Sequence, residues 1–307
     1  MFGKHMIRQM IERSAETDAD RRTFLRRAGL AGLGVVGATT VSGVGAGSAF
    51  AADGPSDKAI LNFALNLEYL EAEFYSYAIW GHGLDDGLTH GRGDRGGVIG
   101  GRSVKFDTPS IRKYAAEIAR DEVAHVTFLR SALTSAAVSR PSIDLKNSFT
   151  AAARAAGLVG PDEAFDPYAN ENNFLLAAFI FEDVGVTAYK GAAPLIDNKT
   201  YLDAAAGILA VEAYHAGIIR GTLFAKGLEA PVKAISDARD SLDGPVLDDQ
   251  GIGMQDHPNL VPTDANGIAF GRTPDRVLNI VYLTADSATE GGFFPDGVNG
   301  KINTSGS

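Results

Sequence analysis

Two glutamate–histidine pairs with the spacing E-x-x-H are the residues of this sequence whose types and spacing best suit metal chemistry. They are Glu122 with His125, in "RDEVAHVTFLR", and Glu212 with His215, in "VEAYHAGIIR". Positions i and i+3 lie on one face of a helix, so each pair can offer one metal ion an oxygen and a nitrogen ligand. A single E-x-x-H is more often a polar pair on a solvated stripe, but two copies in apolar helices favour a metal site.

The residues around the two pairs also repeat. An arginine follows each histidine by five positions, and we expect these arginines, Arg130 and Arg220, to pair with acids at the bundle surface. Two further segments, "EYLEAEFY" and "EDVGVTAY", each place a tyrosine seven residues after a glutamate, which is two turns along one helix face. The sequence therefore indicates an internal repeat in which one helix pair occurs twice. Such a repeat predicts a bundle with approximate twofold symmetry.

Any metal in this chain must be held by carboxylates and imidazoles, because the sequence contains no cysteine. This excludes disulfides, iron–sulfur centres and Cys-ligated zinc. A glutamate from each of the two helices without E-x-x-H could bridge two ions, and bare glutamates in a core would be costly to desolvate. The oxygen-rich set predicts two divalent metal ions, iron or manganese, with zinc as a non-redox occupant.

Four long apolar helices must position these residues. The predicted helices span residues 57–80, 109–133, 172–192 and 200–227. Ser56 is the expected N-cap of the first helix, Thr108 followed by Pro109 is a strong start signal for the second, and Gly227 ends the fourth. Residues 136–171 form a long connection with a short helical piece around 147–156, as a crossover between the second and third helices of a bundle requires.

The predicted fold class is all-α, a four-helix bundle with a long crossover and an irregular, partly helical C-terminal region. Beyond Pro231 the chain has too little apolar content for its own core, so we expect it to wrap the bundle. Asp248, Asp249 and Asp256 lack the spacing of a calcium-binding loop and are expected in surface turns. The predicted division of the chain is residues 1–51, 52–230 and 231–307.

The first 51 residues resemble a twin-arginine signal peptide. Arg21 and Arg22 precede Phe24 and Leu25, then a weakly apolar run ends in the small-residue pattern at 49–51. The run is rich in Gly, Ser and Thr, which disfavours a permanent membrane anchor. The resemblance implies the twin-arginine export machinery as a partner and a location in the periplasm, in the cell envelope or outside the cell. The formal net charge of −10 argues against nucleic acid as a partner.

The segments "LNFALNLEYLEAEFY" and "GGFFPDGVNG", together with the repeated E-x-x-H pairs, resemble the ferritin-like domain family that includes plant and bacterial desiccation-related proteins. The resemblance covers about residues 57–227 and implies a ferritin-like four-helix bundle. The metal ligands it implies are Glu68, Glu122, His125, Glu182, Glu212 and His215. It also implies that Tyr75 and Tyr189 lie directly behind these ligands.

Three neighbouring acids leave alternatives open. Glu71, one turn beyond Glu68, could replace or supplement it; Glu68 is preferred because it alone keeps the distance to a tyrosine that the third helix repeats. Asp121 could orient a ligating histidine through a hydrogen bond, although its counterpart in the repeat is Val211. Glu73 lies on another helix face and is expected to be solvated.

The resemblance further implies a di-metal centre that reacts with oxygen or peroxide, in an exported protein that protects against oxidative or desiccation stress. Two rival functions fit the same residues. One is a non-enzymatic stress-protective protein whose metal is structural or absent, and the other is a manganese catalase-like peroxidase, because one bundle supports several chemistries. A homo-oligomer is compatible with either, but a ferritin storage cage is disfavoured because the C-terminal region would alter the outer helix faces.

Overall fold

The computed structural model of the protein describes residues 54–246, 248–254 and 256–306. The predicted signal peptide, residues 1–51, lies outside the described residues. The four long helices are α1 (Asp57–Trp80), α2 (Pro109–Leu133), α4 (Glu171–Ala192) and α5 (Lys199–Ala225), and α3 (Asn147–Ala155) lies in the crossover. They agree with the predicted helices to within one or two residues.

Local sequence signals account for where these helices begin and end. Helix α2 has Pro109 in its first turn, where a missing N–H costs nothing. The side chain of Asn198 accepts hydrogen bonds from the first backbone N–H groups of α5. Gly81 ends α1 in the left-handed conformation, with φ 77°, and Gly227 takes φ 69° just beyond α5.

The crossover runs the length of the bundle. Helix α1 packs mainly on α2, and α4 packs mainly on α5. Glu171, at the start of α4, accepts hydrogen bonds from the backbone N–H of Thr108 (2.8 Å) and from its hydroxyl (2.9 Å), so α4 begins beside the start of α2. Along the way, β2 (Ile143–Asp144) pairs in parallel with β1 (Val98–Ile99) from the first loop.

The C-terminal region shares the core of the bundle. It contains α6 (Glu229–Asp240), the antiparallel pair β3 (Gly253–Met254) and β4 (His257–Pro258), and α7 (Pro274–Tyr282). The ring of Phe293 lies 5.0 Å from those of Phe149 in α3 and Phe181 in α4, and Phe74 of α1 lies 5.4 Å from Phe181. The all-α fold, the long crossover and the wrapping C-terminal region are therefore confirmed; the predicted domain boundaries stay predictions.

Buried ion pairs attach this region to the bundle, and they correct two sequence predictions. Asp248 and Asp249 do not lie in surface turns but are buried, and both pair with the buried Arg272. Arg220 is also buried, 2.6 Å from Asp183, and donates to carbonyls of the 251–259 segment. A locally charged sequence looks solvated when its partners are distant in the chain, which explains both errors.

Helix α5 passes a test of length and composition for a membrane span, with a mean hydropathy of 1.3 over its most apolar 18 residues. The same helix carries Glu212, His215 and Arg220, whose side chains are all buried against the rest of the protein. Buried polar side chains of this kind are typical of a bundle helix that contributes to a polar site.

We expect two glycine-to-alanine substitutions to change stability in opposite directions. A Cβ at Gly191, near the end of α4, would lie 1.8 Å from the carbonyl oxygen of Arg272, so Gly191→Ala should lower the free energy of unfolding by about 1–3 kcal/mol through overpacking. Gly207 in α5 has open space, so Gly207→Ala should raise it by up to about 1 kcal/mol through helix propensity. Urea unfolding of both variants checks this; equal effects would contradict the close approach at Gly191.

Candidate metal centre

The side chains that the resemblance implies as ligands converge between the four long helices in two overlapping clusters. One cluster is Glu68, Glu122, His125 and Glu212, and the other is Glu122, Glu182, Glu212 and His215. Within each cluster the candidate ligand atoms lie within 4.8 Å of one another, and all of these side chains are buried. Two groups of four that share two glutamates have the layout of two neighbouring metal positions.

Both histidines direct Nδ1 towards carboxylates. Nδ1 of His125 lies 3.2 Å from Oε2 of Glu68 and 3.4 Å from Oε1 of Glu212. Nδ1 of His215 lies 3.0 Å from Oε1 of Glu122. The two imidazole rings are 6.4 Å apart, so each belongs to a different cluster.

The two clusters share other carboxylates than those that the sequence suggests as bridges. Glu68 and Glu182 could bridge two ions by the sequence argument, but Glu122 and Glu212 are the residues common to both clusters, so which glutamates bridge stays a prediction. A step of three residues along an α-helix brings the second side chain to within about 60° of the first around the helix axis. Each E-x-x-H glutamate therefore points between the two positions, while its histidine lies to one side.

The two tyrosines bond across the repeat. The hydroxyl of Tyr75 donates to Oε1 of Glu182, and the hydroxyl of Tyr189 donates to Oε1 of Glu68. Each tyrosine thus binds the glutamate of the other helix, because α1 and α4 run antiparallel and seven residues on one helix match seven on its neighbour. The E-x6-Y spacing marks this reciprocal pair.

Asp121 and Glu71 lie at different margins of the clusters, Asp121 between α2 and α5 and Glu71 between α1 and α4. Oδ2 of Asp121 is 3.2 Å from Nε2 of His215, the nitrogen that faces away from the carboxylates, so Asp121 is placed to fix the ring orientation. The Asp121 side chain is 43% exposed. Glu68 and not Glu71 belongs to the clusters, and Glu71 is a further buried carboxylate beside Glu212.

Glu73 is not solvated, contrary to the sequence prediction. Its side chain is buried, forms an ion pair with Arg140 and accepts a hydrogen bond of 3.1 Å from the backbone N–H of Leu84. It fastens the first loop to α1 and lies outside both clusters. No local signal predicts this ion pair, because Arg140 follows Glu73 by 67 residues.

The electrostatics of the clusters favour positive charge beside the buried carboxylates. Burial raises the pKa of Glu68 to about 7, and burial with the neighbouring charge of Glu122 raises the pKa of Glu212 well above its ordinary value. Burial opposes ionisation of Glu122 too, but contact with both histidines lowers its pKa to about 2. Burial by itself would lower the pKa of His215, yet the carboxylates beside it raise that pKa to about 12. Protons therefore supply the positive charge when metal ions do not.

Metal binding should release these protons, so the apparent affinity for Mn²⁺ or Fe²⁺ should rise with pH. Burial raises the pKa of Glu68 to about 7 and that of Glu212 well above its ordinary value, so both carboxyl groups hold protons more readily in the folded metal-free protein, and a metal ion must displace any proton that they hold. For each proton released, the apparent Kd should fall by roughly tenfold per pH unit. Calorimetric Mn²⁺ titrations at pH 6 and pH 8 measure this; equal Kd values would contradict it.

Unpaired buried atoms test whether a metal fits. The atoms that make no hydrogen bond within the described residues include both carboxylate oxygens of Glu122 and of Glu212, Oε2 of Glu182 and Nδ1 of His215. An unpaired buried polar atom costs about 1–3 kcal/mol, and more when it is charged. These atoms are oxygen and imidazole nitrogen donors gathered in one place, which suits iron or manganese. The residues fit a two-metal centre.

Gly185 is a residue of the site that the sequence prediction missed. A Cβ there would lie 2.5 Å from Oε2 of Glu212 and 3.3 Å from Oε1 of Glu71, so only glycine leaves room for both carboxylates. In the repeat, Gly185 follows Glu182 by three residues as Glu71 follows Glu68. Aligning the two halves would have shown that a glycine stands opposite the extra acid.

Comparisons with known proteins agree with this geometry. A family model described as a ferritin-like domain matches residues 56–225. A desiccation-related protein of Craterostigma plantagineum, PCC13-62, is 32% identical over 265 residues, which cover 80% of this chain and 84% of that protein. The ferritin-like catalase Nec2 of Nesocodon mauritianus is 30% identical over 271 residues, which cover 80% of this chain and 85% of that protein. With a bundle, a repeated ligand set and relatives of this coverage, the chain belongs to the ferritin-like family.

Proposed function

We propose that this protein holds two divalent metal ions, iron or manganese, and uses them to consume hydrogen peroxide. The observation that carries the proposal is the pair of clusters that share Glu122 and Glu212, because a shared pair of carboxylates holds two ions side by side. Peroxide is preferred to oxygen as the substrate because one relative is named a ferritin-like catalase. In the overall reaction, two molecules of hydrogen peroxide give two of water and one of dioxygen.

The candidate ligands comprise two residues common to both metal positions and two pairs that each belong to one position. Glu122 and Glu212 serve both metal positions, while Glu68 with His125, and Glu182 with His215, complete one position each. Bound iron or manganese supplies the reversible electron transfers that peroxide chemistry requires.

The surrounding residues hold these ligands in place. Tyr75 and Tyr189 hold the carboxylates of Glu182 and Glu68 through hydrogen bonds, and Asp121 fixes the ring of His215. Such partners keep ligands in one orientation and tune their basicity. Apolar side chains around the clusters exclude bulk water, which strengthens every electrostatic interaction inside.

Export and stress protection extend the proposal. The resemblance of residues 1–51 to a twin-arginine signal supports an exported protein, and the name of the plant relative supports a role in desiccation stress. Consumption of peroxide by an exported protein would join the two. A fusion of residues 1–51 to a reporter, compared with Arg21→Lys/Arg22→Lys, tests the export: transport should require the arginine pair.

Metal analysis with peroxide assays tests the function. Protein purified from its native compartment should contain two iron or manganese ions per chain and should release dioxygen from hydrogen peroxide. A fully folded, metal-free protein whose stability does not change on addition of iron or manganese would support the non-enzymatic rival instead. Oxidation of Fe²⁺ by oxygen without peroxide turnover would replace peroxide by oxygen as the substrate.

A further inference from the structure

Two apolar cavities lie on the side of the bundle that the C-terminal region covers. The outer cavity, of about 120 Å³, lies between α3, α4, α6 and α7. Its lining includes Phe149, Ala152, Leu176, Ile235, Ala238 and Leu283. The charged residue in its wall, Arg239, directs its guanidinium elsewhere, 2.5 Å from Asp249 and 2.9 Å from the carbonyl oxygen of Phe179. The space left is lined by hydrocarbon.

The inner cavity lies between α1, α4 and α7 and reaches the metal centre. It is small, about 10 Å³, and is walled by apolar side chains that include Leu70, Val184 and Phe293. Glu71 and Gly185 also line it. A Cβ at Gly185 would lie 2.5 Å from Oε2 of Glu212, so Gly185 separates the inner cavity from a carboxylate that both clusters share.

Two isoleucines separate the cavities. Ile180 of α4 and Ile280 of α7 line both the outer and the inner cavity. Their side chains are buried, with exposed fractions of 8% and 2%. A rotamer change in a side chain of this size is enough to join two spaces that share it as a wall, and such changes occur within the folded state.

Between α2 and α5, away from the cavity that lies between α1 and α4, the metal centre has a polar margin. There the carboxylate of Asp121 is partly exposed and touches His215, which itself faces Glu122. A cation or a polar peroxide molecule is better solvated along that side than along hydrocarbon walls. An apolar diatomic molecule has the opposite preference, since it gains nothing from polar partners and fits apolar cavities that stay dry.

We propose that the outer and inner cavities form a passage for dioxygen between the protein surface and the metal centre, with Ile180 and Ile280 as its gate. The inference deepens the proposed function and rests on it for the source of dioxygen, which peroxide consumption produces at the clusters. Dioxygen would leave through the hydrocarbon passage while peroxide arrives on the Asp121 side. Product and substrate would then not compete for one route.

Dissolved dioxygen is itself the probe for this passage, because it is paramagnetic and speeds the relaxation of nearby methyl groups. In metal-free full-length protein with labelled isoleucine methyls, the enhancement at Ile180, Ile235 and Ile280 should be at least about twofold that at Ile143. Ile143 is a fully buried isoleucine that lines neither cavity, and all three probe isoleucines are buried too. Equal enhancement at all four positions overturns the proposal.

A filled cavity gives the second arm. Ala238→Phe fills the outer cavity from α6, and it should remove the excess enhancement at Ile280; Ala152→Phe fills it from α3 and replaces that variant where folding fails. Ala206→Phe, on the exposed face of α5, is the matched control and should change nothing. Persistence of the enhancement in a folded, filled variant overturns the proposal. Because no metal or turnover enters these measurements, failure of the proposed function would appear separately.

Discussion

Glu122→Gln is expected to remove both metal ions, whereas Glu68→Gln should remove one. Glu122 belongs to both clusters, but Glu68 belongs only to the cluster of His125. The amide is nearly the same size as the carboxylate, so the change removes charge and a donor oxygen without opening a cavity. Loss of a residue that merely supports a ligand weakens metal binding by about 10–100-fold, so loss of a shared ligand should exceed about 100-fold at both positions.

The measurement is metal content per folded chain after dialysis against a fixed free Mn²⁺ or Fe²⁺ concentration, together with peroxide consumption. Glu117→Gln is the control, because Glu117 lies on the same helix but is exposed. Glu122→Gln and Glu212→Gln should bind no metal, Glu68→Gln and Glu182→Gln one ion each, and the control two. If Glu122→Gln and Glu68→Gln lose the same amount, the sharing of carboxylates derived from the clusters is wrong.

Whether a feature could be predicted from the sequence depends on how far apart in the chain its interacting residues lie. Helix limits depend on local signals such as Pro109 and Asn198, and the E-x-x-H pairs depend on spacing within one helix, so both are visible in a short window. The E-x6-Y repeat places Tyr75 and Tyr189 at matching positions of α1 and α4. Their reciprocal hydrogen bonds follow once these two helices are known to run antiparallel. The helix limits and the E-x-x-H pairs could be predicted because each depends on neighbours within a few turns, whereas the tyrosine bonds span 107 and 121 residues and depend on the repeat.

Features that depend on residues distant in the chain could not be predicted. Arg220 and Asp248 resemble solvated charges in sequence, because the residues that neutralise them lie far away in the chain. Glu73 was misplaced for the same reason. The sharing of Glu122 depends on how far its side chain reaches towards the bundle axis, and a spacing rule gives only the face of the helix. The buried polar residues outside the metal centre were therefore the least predictable part of the molecule.

Arg272→Met is expected to be the most destabilising single substitution outside the metal centre. Arg272 is 1% exposed and contacts three buried carboxylates, those of Asp243, Asp248 and Asp249. It also donates to the hydroxyl of Thr187 on α4, at 2.9 Å, so it joins the C-terminal region to the bundle. Methionine fills similar space but leaves the three carboxylates with two arginines, Arg239 and Arg276, which contact all three between them.

Removal of one partner from a buried ion network costs about 3–5 kcal/mol when it leaves one buried charge without compensation, as it does where three acids face two arginines. We therefore expect Arg272→Met to lower the free energy of unfolding in urea by that amount. Lys233→Met is the control: Lys233 pairs with Asp237 on the exposed face of α6, and such a pair contributes about 0.3–0.5 kcal/mol. Gly191 packs against the backbone of Arg272. The loss of stability in the double variant Gly191→Ala/Arg272→Met should therefore be smaller than the sum of the two single losses. A cost below about 1 kcal/mol for Arg272→Met would show that Arg239 and Arg276 neutralise the acids without it.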